Sequence, residues 1–511
     1  MSNWSDGYFT QSTYTYGYYR ELSPTYQRFC LLARGFAAPE PSEDDIHCEL
    51  GYGQGVSVNI HAAATPGKFI GTDFNPAHAA NANELLKAST ADAKFFDDSF
   101  EQLTEKNLPQ FDSISLHGIW SWISSENQKI IVEFARKNLK PGGIFYNSYN
   151  CFPGWAAKSP MRELFILYDK YAHNSSNTYK RIEEALNFTD ELFKANPAYA
   201  MIVPEVKTAF EQTRKLDHDY LAHEYFNRDW ICMYFTEVAE MLDAAKLEFA
   251  CSAVLLDFFD GLNFPQPARE FLDKIENPVM REQARDYFVN QQFRKDLYIR
   301  GARHLNPFDR LQRLMNTKYV LLTAGEISLK LRTNLGEANL SREIYDPLIE
   351  YLREDNFAPK DLNKFVATHP EIPVNAIEQA IIILVHANAA APCQSDSAIA
   401  LVKNRCDKLN DYFYSRARFS GDINFLASPV TGAGVPVDRI AQLLIPAWKS
   451  GNKDAKKLSQ ELWKIFDAQG QRLIMSGKTL ETPEENLNEF EKIAKNFLEK
   501  ILPIFKVLQI I

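Results

Sequence analysis

The sequence predicts an α/β protein built on a doubly wound, Rossmann-like parallel sheet, and three observations point there. Short apolar runs alternate with helical stretches through the first 150 residues, the pattern that parallel strands joined by crossover helices produce. A glycine-rich turn closes the first of these runs. Two later apolar runs, near 247–255 and 294–300, return after a long helical stretch and read as further strands of the same sheet.

Taken in order, residues 46–50 form a strand ending in glycines, 57–64 a helix, 68–73 a strand and 77–87 a helix. In the run 111–116, Ile114 and Leu116 fall on one face and Ser113 and Ser115 on the other, as period-two alternation in a strand requires. An amphipathic helix at 126–138 is stopped by Lys140-Pro141-Gly142-Gly143, and 144–148 is the next strand. The chain is then helical and polar to about residue 229. A helix at 236–245 leads into the first late strand, and a helical stretch at 266–291 leads into the second. From about residue 305 the chain restarts, with helices near 375–386, 436–448, 454–467 and 482–502. Pro436 suits a first helical turn, whereas Pro446 should kink or end its helix. The expected organisation is therefore a ligand-binding core in 1–174, a helical middle region in 175–305 that contains the late strands, and a mostly helical domain in 306–511.

At 511 residues the chain exceeds one ordinary domain. Its composition, 45% hydrophobic and 24% charged, excludes a disordered or collagen-like protein. A net charge of −10 argues against nucleic acid as the main partner. The cysteines form no CxxC and no evenly spaced framework, which predicts reduced thiols and a cytoplasmic setting. The N-terminal residues lack the basic and apolar regions of a secretion signal, and the longest apolar run is about a third of a membrane span. No stable membrane insertion is expected.

The segment Glu49-Leu50-Gly51-Tyr52-Gly53-Gln54-Gly55 carries the chemistry. Glycines at a strand-to-helix turn let a ligand approach the backbone and sit at a helix N-terminus. Asp73 lies 22 residues beyond Gly51, a separation that suits one helix plus one strand and places a carboxylate near ribose hydroxyls. A dinucleotide site would need Gly or Ala at 56, where this chain has Val56. The spacing, with an acid ahead of it, resembles instead the first motif of the class I S-adenosylmethionine-dependent methyltransferases. Asp73-Phe74-Asn75 resembles their second motif, and Thr90-Ala91-Asp92-Ala93 their third, which reads the adenine edge. The segment 111–117, ending at His117, resembles the fourth strand, and Leu139-Lys140-Pro141-Gly142-Gly143 the turn before the fifth. The resemblance implies S-adenosyl-L-methionine as cofactor, held by Glu49, Gly51, Tyr52, Gly53, Gly55, Asp73, Phe74, Asn75, Asp92, Ala93 and His117. It implies no metal. Asp92 could equally cap a helix, and His117 could make a structural hydrogen bond.

Three further segments narrow the likeness. Leu116-His117-Gly118-Ile119-Trp120-Ser121-Trp122-Ile123, the run 146–155 and His223-Glu224-Tyr225-Phe226-Asn227 resemble the rickettsial outer-membrane-protein lysine methyltransferases and their methyltransferase regulatory domain. So does Ala427-Ser428-Pro429-Val430-Thr431-Gly432. This likeness implies a winged-helix character for the C-terminal domain and a lysine-bearing protein as acceptor. His117 and Trp120 then become positioning candidates, and Tyr14, Tyr18, Trp120, Trp122, Tyr149 and Trp155 candidate walls of an acceptor channel, with interdomain packing as the alternative for each. A small-molecule methyltransferase and a catalytically silent cofactor-binding regulator remain open as other classes. Tyr14, Tyr16 and Tyr18 alternate ahead of the first strand, either as an edge strand or as a cover over the ligand edge of the sheet.

Overall fold

The structure is a computed structural model that describes residues 15–227 and 229–511. Its centre is a seven-stranded sheet in the order β3-β2-β1-β4-β5-β7-β6. The strands are β1 (Ile46–Leu50), β2 (Lys68–Thr72), β3 (Ala93–Phe96), β4 (Phe111–Leu116), β5 (Leu139–Asn150), β6 (Leu247–Ser252) and β7 (Phe293–Arg300). The first five run parallel, and β7 lies antiparallel to both β5 and β6. Both late strands thus join the sheet. β7 pairs with β5 without interruption from Asn150 opposite Phe293 to Ile144 opposite Ile299.

Helices α1 (Pro24–Arg34), α2 (Val56–Ala64), α3 (Pro76–Ser89), α4 (Phe100–Glu105) and α5 (Ser125–Asn138) belong to this unit. Their starts follow from capping chemistry. Asn75 accepts the Ala77 N–H at 3.0 Å ahead of Pro76, and Ser99 and Gln102 form a reciprocal capping box on α4. Helix α1 and strand β3 are absent from the sequence reading. The expected stop at Lys140-Pro141-Gly142-Gly143 instead lies within β5. The Phe111–Leu139 pair is followed by Ser113–Ile144, so the surplus residues bulge out of the ladder without ending it.

Helices α6 (Ser159–Tyr171), α7 (Thr178–Lys194), α8 (Ala198–Ile202), α9 (Glu205–Thr213) and α10 (His218–Tyr225) are inserted between β5 and the helix Phe235–Asp243. Met161, Phe165, Ile182, Leu186, Phe210 and Leu221 give them a core of their own. The C-terminal region is mostly helical with short two-stranded hairpins. Pro436 ends one of these, Phe425–Ser428 paired with Ala433–Pro436, and so does not open a helix. Asp438 caps the helix Arg439–Lys449, which runs through Pro446 to its end. Residues 482–502 divide into Pro483–Asn496, a π turn at Phe497–Ile501, and Leu502–Val507.

Hydrophobic contacts run across the boundary expected at 305. Leu22, Phe29 and Leu31 of the N-terminal part share one core with Ile144, Tyr146 and Leu297 of the sheet and with Tyr345, Leu348 and Ile381 of the C-terminal part. A second core joins Val56, Ile60 and Ala63 of α2 to Val402, Leu409 and Phe413 of the helix Asp396–Ala417.

Candidate functional site

At the C-terminal ends of β1, β2 and β4, where ligands bind in open α/β sheets, lies a cavity of about 440 Å³. Glu49, Gly51, Tyr52, Gly53, Asp73, Phe74 and His117 line it. The turn is built from glycine because Gly51, Gly53 and Gly55 have φ of 72°, 56° and 76°, a region that side chains disfavour. A Cβ on Gly51 would also meet Ile119 at 2.4 Å.

The Asp73 carboxylate anchors this turn. Its Oδ2 accepts the Gly53 N–H at 2.8 Å, and its Oδ1 accepts the Asn75 N–H at 3.0 Å and lies 3.0 Å from His78 Nδ1. A carboxylate has about four acceptor positions, so one remains on Oδ2. Glu49 is only 6% exposed, and burial followed by the Asp73 charge pushes its carboxyl up to about 8. Among the described residues no cation compensates this cavity-lining acid.

His117 is stacked against Tyr19 with ring centroids 4.0 Å apart, and its Nδ1 lies 2.8 Å from the Tyr146 hydroxyl. Burial lowers its pKa to about 4 against the opposing pull of Glu21, so the ring is neutral near pH 7. It presents one donor and one acceptor and carries no charge.

Among the described residues six acidic side chains line the cavity, Glu49, Asp73, Asp98, Glu101, Glu126 and Asp229, of which Glu49 is largely protonated near pH 7 and Asp98 is paired with Lys106 at 3.0 Å. Among the described residues no lysine or arginine lines it.

Several expected site residues lie elsewhere. Asp92 and Ala93 stand at the start of β3, the opposite end of the sheet, where Asp92 is exposed and 3.8 Å from Lys68. The acid at the ligand end of β3 is Asp98, followed by Ser99 and Phe100. Gly55 serves packing: a Cβ there would meet Ala82 at 2.5 Å, between α2 and α3. Asn75 caps α3. Trp120 is fully buried beneath the site with its Nε1 unpartnered, because in a single 3-10 turn it and Trp122 point in different directions. Tyr149 donates to Asp296 at 2.7 Å in the core, and Trp155 donates to Asn150 Oδ1 at 3.1 Å and packs edge-on against Trp230. Among the described residues, Trp122 alone of the expected aromatics lines the cavity. The Arg162 guanidinium backs it at 5.7 Å and lies 4.6 Å from the Trp230 ring. Tyr14 falls outside the described residues.

The segment 15–19 crosses the cavity mouth with a period of two. Thr15, Gly17 and Tyr19 line the cavity. Tyr16 and Tyr18 face the C-terminal part, Tyr16 beneath Arg416 at 4.5 Å and Tyr18 against Phe425 at 4.6 Å. Tyr18 therefore does not line the cavity, whereas its neighbour Tyr19 does.

Two family models match the chain: a methyltransferase domain over residues 48–145 and a predicted methyltransferase regulatory domain over residues 217–300. An uncharacterized protein of Synechocystis is 38% identical over 511 residues, 99% of either chain. An uncharacterized protein of Rickettsia prowazekii is 26% identical over 275 residues, 53% of this chain and 49% of its own length. The fold matches that of PKMT2 from Rickettsia typhi, solved in complex with AdoHcy, with a TM-score of 0.69 over 97% of this chain and 99% of that one, at 17% identity.

Proposed function

Because the chain belongs to the class I S-adenosylmethionine-dependent methyltransferases that carry a methyltransferase regulatory domain, we propose that its acceptor is the side-chain amine of lysine in a protein. The observation that carries this reading is a lining of six acidic side chains with no lysine or arginine among the described residues. Such a surface concentrates a cationic amine and disfavours an anionic metabolite or a nucleic-acid phosphate.

The residues present fit the cofactor. Glu49 offers a buried carboxylate to an ammonium group, Asp73 one open acceptor to a ribose hydroxyl, and the glycine turn leaves room against the backbone. Asp98 and Phe74 line the same cavity and would hold the adenine. When bound, S-adenosylmethionine would supply an electrophilic methyl group. The chain's own part is placement. Tyr19, His117 and Trp122 wall the cavity, restrict water and orient the incoming amine. A neutral His117 adds no charge that would repel a cationic donor. An amine arrives protonated, near its usual value of about 10.4. The aromatic walls favour loss of that proton to water as the amine is desolvated, and the acids that attract the ammonium oppose it. The inserted helices reach this wall through Arg162. The seven free thiols support a reducing, cytoplasmic setting.

Incubation of the full chain with methyl-labelled S-adenosylmethionine and a lysate of the source cell tests the reading. Label is expected in polypeptide bands and, after hydrolysis, in methylated lysine. Label confined to small molecules would overturn it.

A further inference from the structure

Residues 427–432 stand out in the sequence yet take no part in the cavity. In the fold they form the tip of the C-terminal hairpin, and that tip grips both the segment 15–19 and α2. The Gly434 N–H donates to the Tyr18 hydroxyl at 2.6 Å. The Tyr18 O–H is then left to donate to His61 Nε2 of α2, 3.1 Å away. The Gly432 carbonyl accepts from Ser23 at 3.2 Å and from Thr65, at the end of α2, at 3.0 Å. Gln394 donates to both the Ala64 and Pro429 carbonyls at 2.8 Å. The fit is close. A Cβ on Gly434 would lie 2.7 Å from the Tyr18 ring, and one on Gly432 would lie 2.6 Å from Thr25 Oγ1.

On the other face of the same segment, Tyr19 stacks on His117, its N–H donates to Ser57 Oγ at 2.9 Å, and Ser57 faces the Gly17 carbonyl at 3.4 Å. Side chains of adjacent extended residues point to opposite sides, so fixing Tyr18 fixes where Tyr19 lies. We propose that Tyr18 is a positioning residue of the methyl-transfer site, through which the hairpin 425–436 holds Gly17 and Tyr19 across the cofactor cavity. The C-terminal region is in this way part of the site, although it contributes no residue to the cavity lining. This inference rests on the cofactor assignment above.

The test is a double-mutant cycle on the full chain, read by calorimetric titration with S-adenosylmethionine. Tyr18→Ala removes the clasp, and Gly434→Ala pushes on it from the far side without touching the cavity. Each is expected to raise the Kd by about tenfold, within the range that coupled neighbours show. In the double variant the added methyl meets empty space, so its Kd should equal that of Tyr18→Ala. Tyr18→Phe keeps the ring and should recover part of the affinity; it also replaces Tyr18→Ala in the cycle if that variant does not fold. Thermal melts identify the folded variants. Unchanged Kd in folded single variants, or effects that simply add, would overturn the proposal. Failure of the unaltered chain to bind S-adenosylmethionine would instead overturn the cofactor assignment.

Discussion

Asp73 and Glu49 sit on neighbouring strands and face one cavity, yet the two acids do different work. Asp73 holds the Gly53 N–H as well as an open acceptor, so Asp73→Ala removes a ligand contact and slackens the turn together. It should weaken S-adenosylmethionine by about 1.5–3 kcal/mol, roughly 10- to 150-fold, in a calorimetric titration. Glu49 carries a cost in the empty protein. Its folded value of about 8 lies above the 4.5 of an unperturbed glutamic acid, so between those values the folded chain holds more protons than the unfolded one. Stability therefore falls as pH rises from about 4.5 through about 8. Glu49→Gln should melt higher than the parent by a margin that grows from pH 5 to pH 9, while S-adenosylmethionine binding weakens. A margin independent of pH would show that Glu49 ionises normally. These two acids and the glycine turn were legible in the sequence because turn chemistry is local. Asp98 was not, although Phe95-Phe96 followed by Asp98-Ser99 carries the same strand-then-cap signature as the segment around Asp73. The alanine-rich pattern at 90–93 drew the third motif to the wrong end of β3.

Elements were legible in proportion to how far their signal is local. The strands at 46–50, 68–73, 111–116 and 144–148 and the helices between them stand close to where periodicity puts them, since each repeats a strand–turn–helix unit. The segment 15–19 shows the limit. Its alternation was visible, but which face meets the cavity depends on packing against a hairpin 400 residues away, and a one-residue slip exchanges Tyr18 for Tyr19. The late strands carry a direct consequence. Because β7 pairs along β5 and β6 pairs only with β7, a chain cut at residue 235 leaves the β5 edge and its apolar face open. Such a fragment should be insoluble or lack a cooperative melt in calorimetry. A folded, cofactor-binding 1–235 would show that the sheet closes without them.

At the scale of the whole molecule, the order of domains along the chain is a poor guide to which surfaces meet. The cores are shared: α1 and the sheet pack with helices beyond residue 340, and α2 packs with the helix Asp396–Ala417, whereas the inserted helices keep their own apolar cluster. Composition and periodicity record that each helix has a buried face but not its partner, which is why the C-terminal grip on the cofactor edge could not be read from the sequence. That grip also has a consequence in time. Tyr18 and Gly434 are 416 residues apart, so at roughly 5–20 residues per second a ribosome reaches the second about 20–80 s after the first. The glycine turn and its acids emerge early, but the cover over them is fastened only once residue 434 has been made. A nascent polypeptide that stops short of residue 434 would hold an unfinished cofactor pocket, and methylation would begin only in chains translated beyond it.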